Sequence, residues 1–206
     1  MPKINEINSF CVHLIRRTDR EENMIRELNS FTDNWEVFNA IKRPKGYEGT
    51  SASFKEIITR AKRNKLDQVL IFEDDVKFTS KMSKDKFQKA IDSLPDDWDV
   101  LVGGVYSLLN MEDLENPYNE HIVKIGDFAS LHCILIRSTA YDKILKHDSG
   151  SKLGHLDRYI GYLSKTNELN TYLTYPMIAV QYNTYSDNVG MNVDYDRMLG
   201  KFEILR

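Results

Sequence analysis

The sequence has few cysteines, no long hydrophobic run and no large excess of charge of either sign. Cys11 and Cys133 are the only cysteines in 206 residues, which excludes a disulfide framework and predicts two reduced core residues. No apolar run approaches the roughly 20 residues that a membrane-spanning helix needs. The N-terminus has polar residues where a signal peptide would have its hydrophobic core. We therefore expect a cytoplasmic protein without a transmembrane segment, for which peripheral membrane contact stays open.

The charge and the composition exclude further classes. A net charge of −3 gives no general basic field, so no nucleic-acid partner is expected. Hydrophobic residues make up 41% and charged residues 29% of the chain, as is usual for globular domains. The length suits one well-packed domain that spans residues 1–206.

Strand patterns alternate with helix patterns in the first half of the chain. Strands are predicted at 9–15, 35–41, 69–72 and 99–102, with helices at 21–29, from 49 onwards, and at 84–93. The second half is less regular, with strands at 121–125, 131–136 and 172–180 and helices that begin near 138 and 155. This alternation indicates an α/β fold with a mostly parallel sheet covered by helices on both faces.

Three polar segments follow strands of this predicted sheet. They are Arg16–Arg20 (RRTDR), Glu73–Asp75 (EDD) and Gly103-Gly104. Because ligands in open α/β sheets bind at the carboxyl ends of the strands, the three segments are expected on one functional edge.

The acidic segment is the most informative of the three. Glu73, Asp74 and Asp75 follow the apolar run of residues 69–72 directly, so three like charges stand at the end of a buried strand. Mg²⁺ or Mn²⁺ prefers such oxygen ligands and commonly bridges carboxylates to phosphates. The alternative is a solvated turn whose acids cap the next helix, although a cap needs only one acid.

Several common nucleotide and hydrolase motifs are absent from the sequence. There is no GxxxxGK[ST] loop, no GxGxxG after the first strand, no HExxH or CxxC site, and no GxSxG turn. These absences leave a nucleoside diphosphate held through a metal as the favoured ligand.

Four stretches, in order along the chain, resemble glycosyltransferase family 25, the lipooligosaccharide and procollagen galactosyltransferase group. Gly49–Val76 resembles that family's G-C-x-x-S-H, helix and L-D-Y-[IV]-L-I-L-E-D-D-V pattern at the same spacing. His13–Arg20 resembles its N-L-x-R-x-x-D-R, and Ser130–Ile136 its T-H-A-Y-I-I-S strand. Gln181–Asp187 resembles its closing Q-x-x-x-x-S-D.

The resemblance implies a GT-A type fold and a metal-dependent, inverting transfer of a hexose, galactose or glucose, from a UDP-sugar. The acceptor would be a glycan, a glycolipid or a glycoprotein, as in lipopolysaccharide biosynthesis. Residues of about 1–104 would bind the nucleotide sugar, and about 105–206 the acceptor. A bound Mn²⁺ or Mg²⁺ would stabilise the charge that develops on the leaving diphosphate.

The resemblance also suggests roles for the acids. Asp75 fits a direct metal ligand and Asp74 a second one, while Glu73 would face the ribose or the sugar. Asp157, at the start of a helix, is the preferred base for the acceptor hydroxyl, and Asp187 is the next candidate. The alternative for Asp157 is an acid favoured by the helix dipole.

Further candidates each have a structural alternative. Arg16, Arg17 and Arg20 would contact the nucleotide or its phosphates, or else form a solvated helix start. Ser53 would contact the donor or cap its helix, and the Gly103-Gly104 pair would let the backbone approach the donor sugar or form a plain turn.

The sequence departs from the family pattern at Phe54, which replaces the family's His, and at Thr50, which replaces its Cys. No His follows His155, so a third metal ligand would be Asp187, His132 or water; His132 is otherwise a core histidine. Two alternatives therefore stay open. One is a catalytically inactive module that binds a nucleotide sugar or a glycan, and the other is a metal-dependent nucleotidyltransferase or phosphatase.

Overall fold

A computed structural model describes residues 2–195, and Met1 and residues 196–206 lie outside the described part. The predicted acceptor half, 105–206, is therefore described only as far as Tyr195. The helices are α1 (Thr18–Phe31), α2 (Gly46–Arg63), α3 (Ser83–Asp92), α4 (Ser138–Leu145) and α5 (Leu156–Lys165).

Thirteen strands are present in the described part of the chain. They are β1 (Ser9–His13), β2 (Trp35–Asn39), β3 (Gln68–Glu73), β4 (Val76–Phe78), β5 (Val100–Val102), β6 (Ser107–Leu108), β7 (Ile122–Lys124), β8 (Phe128–Ala129), β9 (Cys133–Arg137), β10 (Thr171–Thr174), β11 (Ala179–Gln181), β12 (Thr184–Ser186) and β13 (Met191–Val193). Two short 3-10 helices, Ile4–Glu6 and Met111–Glu115, complete the set of described elements.

Seven strands form the central sheet in the order β2-β1-β3-β9-β5-β10-β7. Strands β2, β1 and β3 are parallel to one another, and β10 is parallel to β5. Strand β9 is antiparallel to both β3 and β5, and β7 is antiparallel to β10, so five of the seven strands share one direction. The sheet is the mixed, mostly parallel sheet of a GT-A, Rossmann-like α/β domain, which confirms the predicted fold class.

Alternate residues of the central strands pack against helices on opposite faces of the sheet. On β3, Val69 and Ile71 join α2, α4 and α5 in one core cluster, while Leu70 and Phe72 join α1 and α3 in the other. A strand buried on both faces must be continuously apolar, which explains the uninterrupted 69–72 run. Cys11 and Cys133 are free and buried, as predicted.

The acidic segment is a tight turn between two sheets. Strand β3 ends at Glu73, and the chain resumes at β4, which pairs with β11 in a separate two-stranded sheet. Val76 is fully buried, and Phe78 stacks on Phe31 with ring centroids 4.2 Å apart. The apolar residues after the acids therefore anchor the far side of the turn.

The predicted division of the chain near residue 104 falls between β5 and β6 and stays a prediction. No helix within residues 2–195 has both the length and the apolar composition needed to cross a membrane.

Candidate active site

A cleft lies where β1, β2 and β3 end, and it has two adjoining chambers. The front chamber, of about 230 Å³, has the charged walls Arg16, Arg20, Lys42, Arg43, Glu73, Asp74, Asp75 and Asp187. The back chamber, of about 140 Å³, is bordered by Tyr47, Tyr106, His155, Asp157 and Tyr195. Both chambers are lined by Thr50, Glu73, Gln181, Ser186, Asn188 and Tyr195. Glu73 is the one acidic side chain in this shared wall.

The acids of the front chamber have positive partners within the chain itself. The guanidinium of Arg20 contacts an oxygen of Asp74 and lies 3.2 Å from Oδ2 of Asp75. The second oxygen of Asp74 is 2.8 Å from Nδ1 of His13, and Gln181 donates to Oδ1 of Asp75 at 3.2 Å. Asp74 and Asp75 are therefore held by residues from β1, α1 and β11, whereas within residues 2–195 the side chain of Glu73 has only Gln181 as a hydrogen-bond partner, at 3.5 Å.

The position of Arg20 follows from the local structure. Arg20 lies in the first turn of α1, which begins directly after β1 at the same edge of the sheet. Its side chain is 11% exposed, and its second terminal nitrogen donates to the Tyr185 carbonyl at 2.8 Å. The helix start and the β12 strand thus fix the guanidinium between them.

A C-terminal hairpin, β12 with β13, is tied to the same helix start. Arg17 donates to Thr184, to the Tyr185 carbonyl and to Asp187, the last at 2.7 Å. Arg16 binds the other oxygen of Asp187. Gly46 allows the approach of this segment, because a Cβ there would lie 2.2 Å from the Asp187 carbonyl oxygen.

Burial shifts the acid–base properties of the cleft residues. Desolvation raises the pKa of Glu73 well above its usual range, and the neighbouring Asp75 and Asp157 charges add to the shift. Desolvation also raises the pKa of Asp75, against the effect of Arg20, and raises the pKa of Asp157. The hydrogen bond to Asp74 raises the pKa of His13.

The donor atoms do not fit a divalent-cation site as they are arranged. Both oxygens of Asp74 and Oδ1 of Asp75 accept hydrogen bonds from side chains, and Oδ2 of Asp75 faces Arg20. Among residues 2–195 no group of three or more His, Cys, Asp or Glu side chains is placed to hold a metal. A hard cation prefers several free oxygen ligands, which these residues do not offer.

Several predicted site residues lie outside both chambers. The guanidinium of Arg17 donates hydrogen bonds to Asp19 and to the β12–β13 hairpin. Ser53 is buried and ties the Ile41 amide to the Gly49 carbonyl. His132 is 1% exposed, it bonds Ser130, and desolvation lowers its pKa to about 4.

The Gly103-Gly104 pair also serves packing. A Cβ on Gly103 would lie 2.7 Å from the sulfur of Cys133, and one on Gly104 would lie 1.9 Å from the Ala179 carbonyl oxygen. The absence of side chains thus lets the start of β11 lie against the residues that follow β5. Neither glycine lines the cleft described above.

Asp157 and Asp187, the two candidate bases, lie in different chambers. Asp157 is in the back chamber, in the first turn of α5, where one oxygen accepts from the Arg158 amide at 2.7 Å. Asp187 lies in the front chamber, with its oxygens bound by Arg16 and Arg17. The burial of Asp157 next to Glu73 favours it over Asp187 for accepting a proton, and both roles stay predictions.

Sequence reasoning identified Tyr106 as a possible acceptor contact but missed the basic segment after β2 and the other aromatic residues of the back chamber, Tyr47 and Tyr195. Lys42 and Arg43 are exposed, line the front chamber, and form no ion pair with the residues that the structure describes. Tyr47 stacks on His155 with ring centroids 4.5 Å apart. The KRPK run of residues 42–45 could have indicated this part of the site, because it places three cations and a proline shortly after the end of a strand.

The fold resembles solved structures, although the sequence does not match known families. No protein-family model matches the chain, and no curated protein sequence matches it. A glycosyltransferase involved in the glycosylation of the major capsid of PBCV-1 is similar with a TM-score of 0.54 and 10% identity, over 96% of this chain and 98% of that one. The A197 protein from STIV gives a TM-score of 0.53 and 12% identity, over 90% of this chain and 91% of that one.

At these identities the likeness shows the fold alone. The chain shares the architecture of a glycosyltransferase over nearly its whole described length. Membership of family 25 specifically stays a prediction from the motifs.

Proposed function

We propose that this protein is a glycosyltransferase that moves a hexose, galactose or glucose, from a UDP-sugar to a glycan on a lipid, a polysaccharide or a protein. The main observation is a pair of adjoining chambers that share Glu73. The exposed cations Lys42 and Arg43 line one of them, and aromatic rings and Asp157 border the other. A transferase needs two such sites in contact, one for the anionic donor and one for the sugar acceptor. The likeness in fold to a capsid-glycosylating enzyme supports the same class.

The two chambers suit the inverting transfer that the family resemblance implies. In that reaction the bond between the anomeric carbon and the diphosphate oxygen breaks, and the electron pair leaves with the nucleoside diphosphate in the front chamber. The acceptor hydroxyl in the back chamber would form the new bond from the opposite side, with inversion at the anomeric carbon. Asp157 takes the hydroxyl proton, a role that suits a carboxylate whose pKa burial raises.

Glu73 would act at the boundary between the two substrates. It lines both chambers, and Gln181 Nε2 is 3.5 Å from its Oε2. Desolvation raises the pKa of Glu73, and its carboxyl group would form a hydrogen bond with a hydroxyl of the transferred sugar. The predicted Mn²⁺ or Mg²⁺ is not part of this mechanism, because the oxygens of Asp74 and Asp75 are engaged.

The inactive-module alternative rests on the replacement of the family's His by Phe54. Phe54 is fully buried in the core cluster beside α4 and α5 and lines neither chamber. Its replacement of His therefore changes packing rather than the cleft. This favours an active enzyme over a binding module.

A turnover assay tests the proposed function. UDP release is measured with UDP-galactose and UDP-glucose in the presence of a panel of mono- and disaccharide acceptors. We expect acceptor-dependent release that Asp157→Asn abolishes. Asp85→Asn, which changes an exposed acid in the first turn of α3, is the matched control and should retain full activity. Binding of UDP-sugar without release under every acceptor would favour the inactive module, and consumption of a nucleoside triphosphate would favour the nucleotidyltransferase.

A further inference from the structure

We propose that Arg20 takes the place of the divalent cation in this chain, so that a nucleoside diphosphate binds in the front chamber without a metal. The inference rests on the proposed function for the class of ligand. It departs from the family pattern, which implies a cation held by the acids after β3. The support comes from the contacts of Arg20, from the hydrogen-bonded oxygens of Asp74 and Asp75, and from nearby basic side chains that form no ion pair within residues 2–195.

Arg20 is fixed in the chamber by three contacts. Its guanidinium bonds Asp74, lies 3.2 Å from Asp75 and donates to the Tyr185 carbonyl at 2.8 Å. These partners belong to the β3–β4 turn and to β12, so the side chain is held from two elements besides its own helix. A guanidinium held in this way is a positive group in a set position rather than a mobile surface charge.

The oxygens that a metal would need are taken by hydrogen-bond donors of the chain. Asp74 accepts from Arg20 and from His13, the latter at 2.8 Å, and Asp75 accepts from Gln181 at 3.2 Å. A Mg²⁺ or Mn²⁺ ion bound here would have to compete with Arg20, His13 or Gln181 for these oxygens and would lie close to the positive charge of Arg20.

The chamber also has basic side chains that form no ion pair with any described residue of the chain. Lys42 and Arg43 are exposed, line the front chamber and form no ion pair within residues 2–195. Arg16 adds a third cation, partly engaged by Asp187. Two phosphates that enter the chamber would meet these donors directly, and arginine binds phosphate oxygens through paired hydrogen bonds.

Calorimetric titration of the full chain with UDP, GDP and ADP, each in excess EDTA and in excess Mn²⁺, tests the inference. We expect at least one nucleoside diphosphate to bind in EDTA, with a dissociation constant within about threefold of its value in Mn²⁺. Binding that requires Mn²⁺ would overturn the inference and leave the proposed function standing. No binding under either condition would overturn both.

Two sets of variants make the test specific to the residues. Lys42→Gln and Arg43→Gln change exposed side chains, so folding should persist while affinity in EDTA falls by about tenfold, as the loss of a charge-assisted hydrogen bond implies. Arg63→Gln, an exposed arginine at the end of α2, is the matched control and should bind as the native chain does.

Asp75→Asn separates the two roles of the acids most clearly. If Asp75 held a metal, its loss would weaken nucleotide binding in Mn²⁺, whereas an ion-pair partner of Arg20 can be lost, since Asp74 still holds the guanidinium. We expect Asp75→Asn to bind the nucleotide within about threefold of the native chain in Mn²⁺ as well as in EDTA. Loss of binding in a folded Asp75→Asn protein, confirmed by circular dichroism, would contradict the inference.

Discussion

The front and back chambers of the cleft share one wall, but Asp74 and Asp75 of the front chamber have cationic partners and, within residues 2–195, Asp157 of the back chamber does not. In the front chamber, Asp74 and Asp75 are buried and paired with Arg20 and His13. In the back chamber, the carboxylate of Asp157 accepts a hydrogen bond from the backbone amide of Arg158. Among the residues that the structure describes, it forms no ion pair. Ion pairs and hydrogen bonds therefore hold the front acids in place, whereas desolvation raises the pKa of the back acid.

This difference shows which acids are free to react. A carboxylate that already accepts hydrogen bonds from a guanidinium is poorly placed to take another proton, because its pairing stabilises the ionised form. A desolvated carboxylate without a cation partner gains from protonation. Four predictions follow, from the largest expected effect to the smallest. Three change residues of the two chambers, and the remaining one changes a buried histidine outside both.

Asp157→Asn should lower the turnover number by about 10²- to 10⁴-fold, the contribution expected of a general base. UDP affinity should stay unchanged, because Asp157 lines only the back chamber. Steady-state kinetics measure the turnover number, and calorimetric titration with UDP measures the affinity. Equal losses in turnover and in UDP affinity would contradict the assignment of the front chamber to the donor and the back chamber to the acceptor.

Arg20→Met should destabilise the protein by about 3–5 kcal/mol, because it leaves two buried acids without their cation. The triple variant Arg20→Met/Asp74→Asn/Asp75→Asn should recover most of this loss, since the unpaired charges are gone. Urea unfolding of both variants measures the effect. Arg63→Gln is the control and should lie within about 0.5 kcal/mol of the native chain. An equally unstable triple variant would show that Arg20 acts through packing rather than through charge.

His132 should make the fold sensitive to acid without affecting either chamber. Its pKa is lowered to about 4 by desolvation, against an ordinary value of 6.5, so the unfolded chain binds the proton first as the pH falls. This contribution to stability is complete above pH 6.5 and is lost on acidification toward pH 4, by about 3 kcal/mol in all. Urea unfolding between pH 4 and pH 7 should show a shallower loss for His132→Gln than for the native chain.

UDP binding by His132→Gln at pH 7 should match that of the native chain, because His132 lies outside the cleft. A loss of UDP affinity in the folded variant would instead assign His132 to the site, as the sequence-based metal prediction did.

Tyr47→Ala should have the smallest effect, and only on the acceptor. Removal of the ring that stacks on His155 at the border of the back chamber should raise the KM for the acceptor by several-fold, in line with about 0.5–1.5 kcal/mol for an aromatic contact. The KM for the UDP-sugar should stay the same. Tyr162→Ala, an exposed tyrosine on α5, is the matched control. A larger effect on the donor than on the acceptor would reverse the assignment of the chambers.

Much of the fold could be predicted from local patterns, because helices and buried strands have distinct periods. The continuous run before Glu73 and the helical spacing of Phe54, Ile57, Ile58 and Ala61 predicted elements that the structure contains. The short strands β8, β12 and β13 were not predicted, because two or three residues give no period. Strand order and the antiparallel direction of β9 depend on contacts far apart in sequence.

Part of the candidate site followed from the sequence as well. The rule that polar residues after parallel strands meet at one edge correctly brought Arg16, Arg20 and the Glu73–Asp75 turn together. The same rule placed Gly103-Gly104 at the edge but did not predict that the pair packs against Ala179 and Cys133. Proximity to a strand end does not determine which way the backbone turns next.

The sequence by itself determined the α/β class, the reduced cysteines and the presence of three acids at a buried strand end, because these depend on composition and on local periodicity. Only the tertiary structure decided what neutralises those acids. Arg20 is 54 residues from Asp74, and Gln181 is 106 residues from Asp75. The energy of a buried charge depends on the partners that the fold brings within a few ångströms, and no local pattern encodes them.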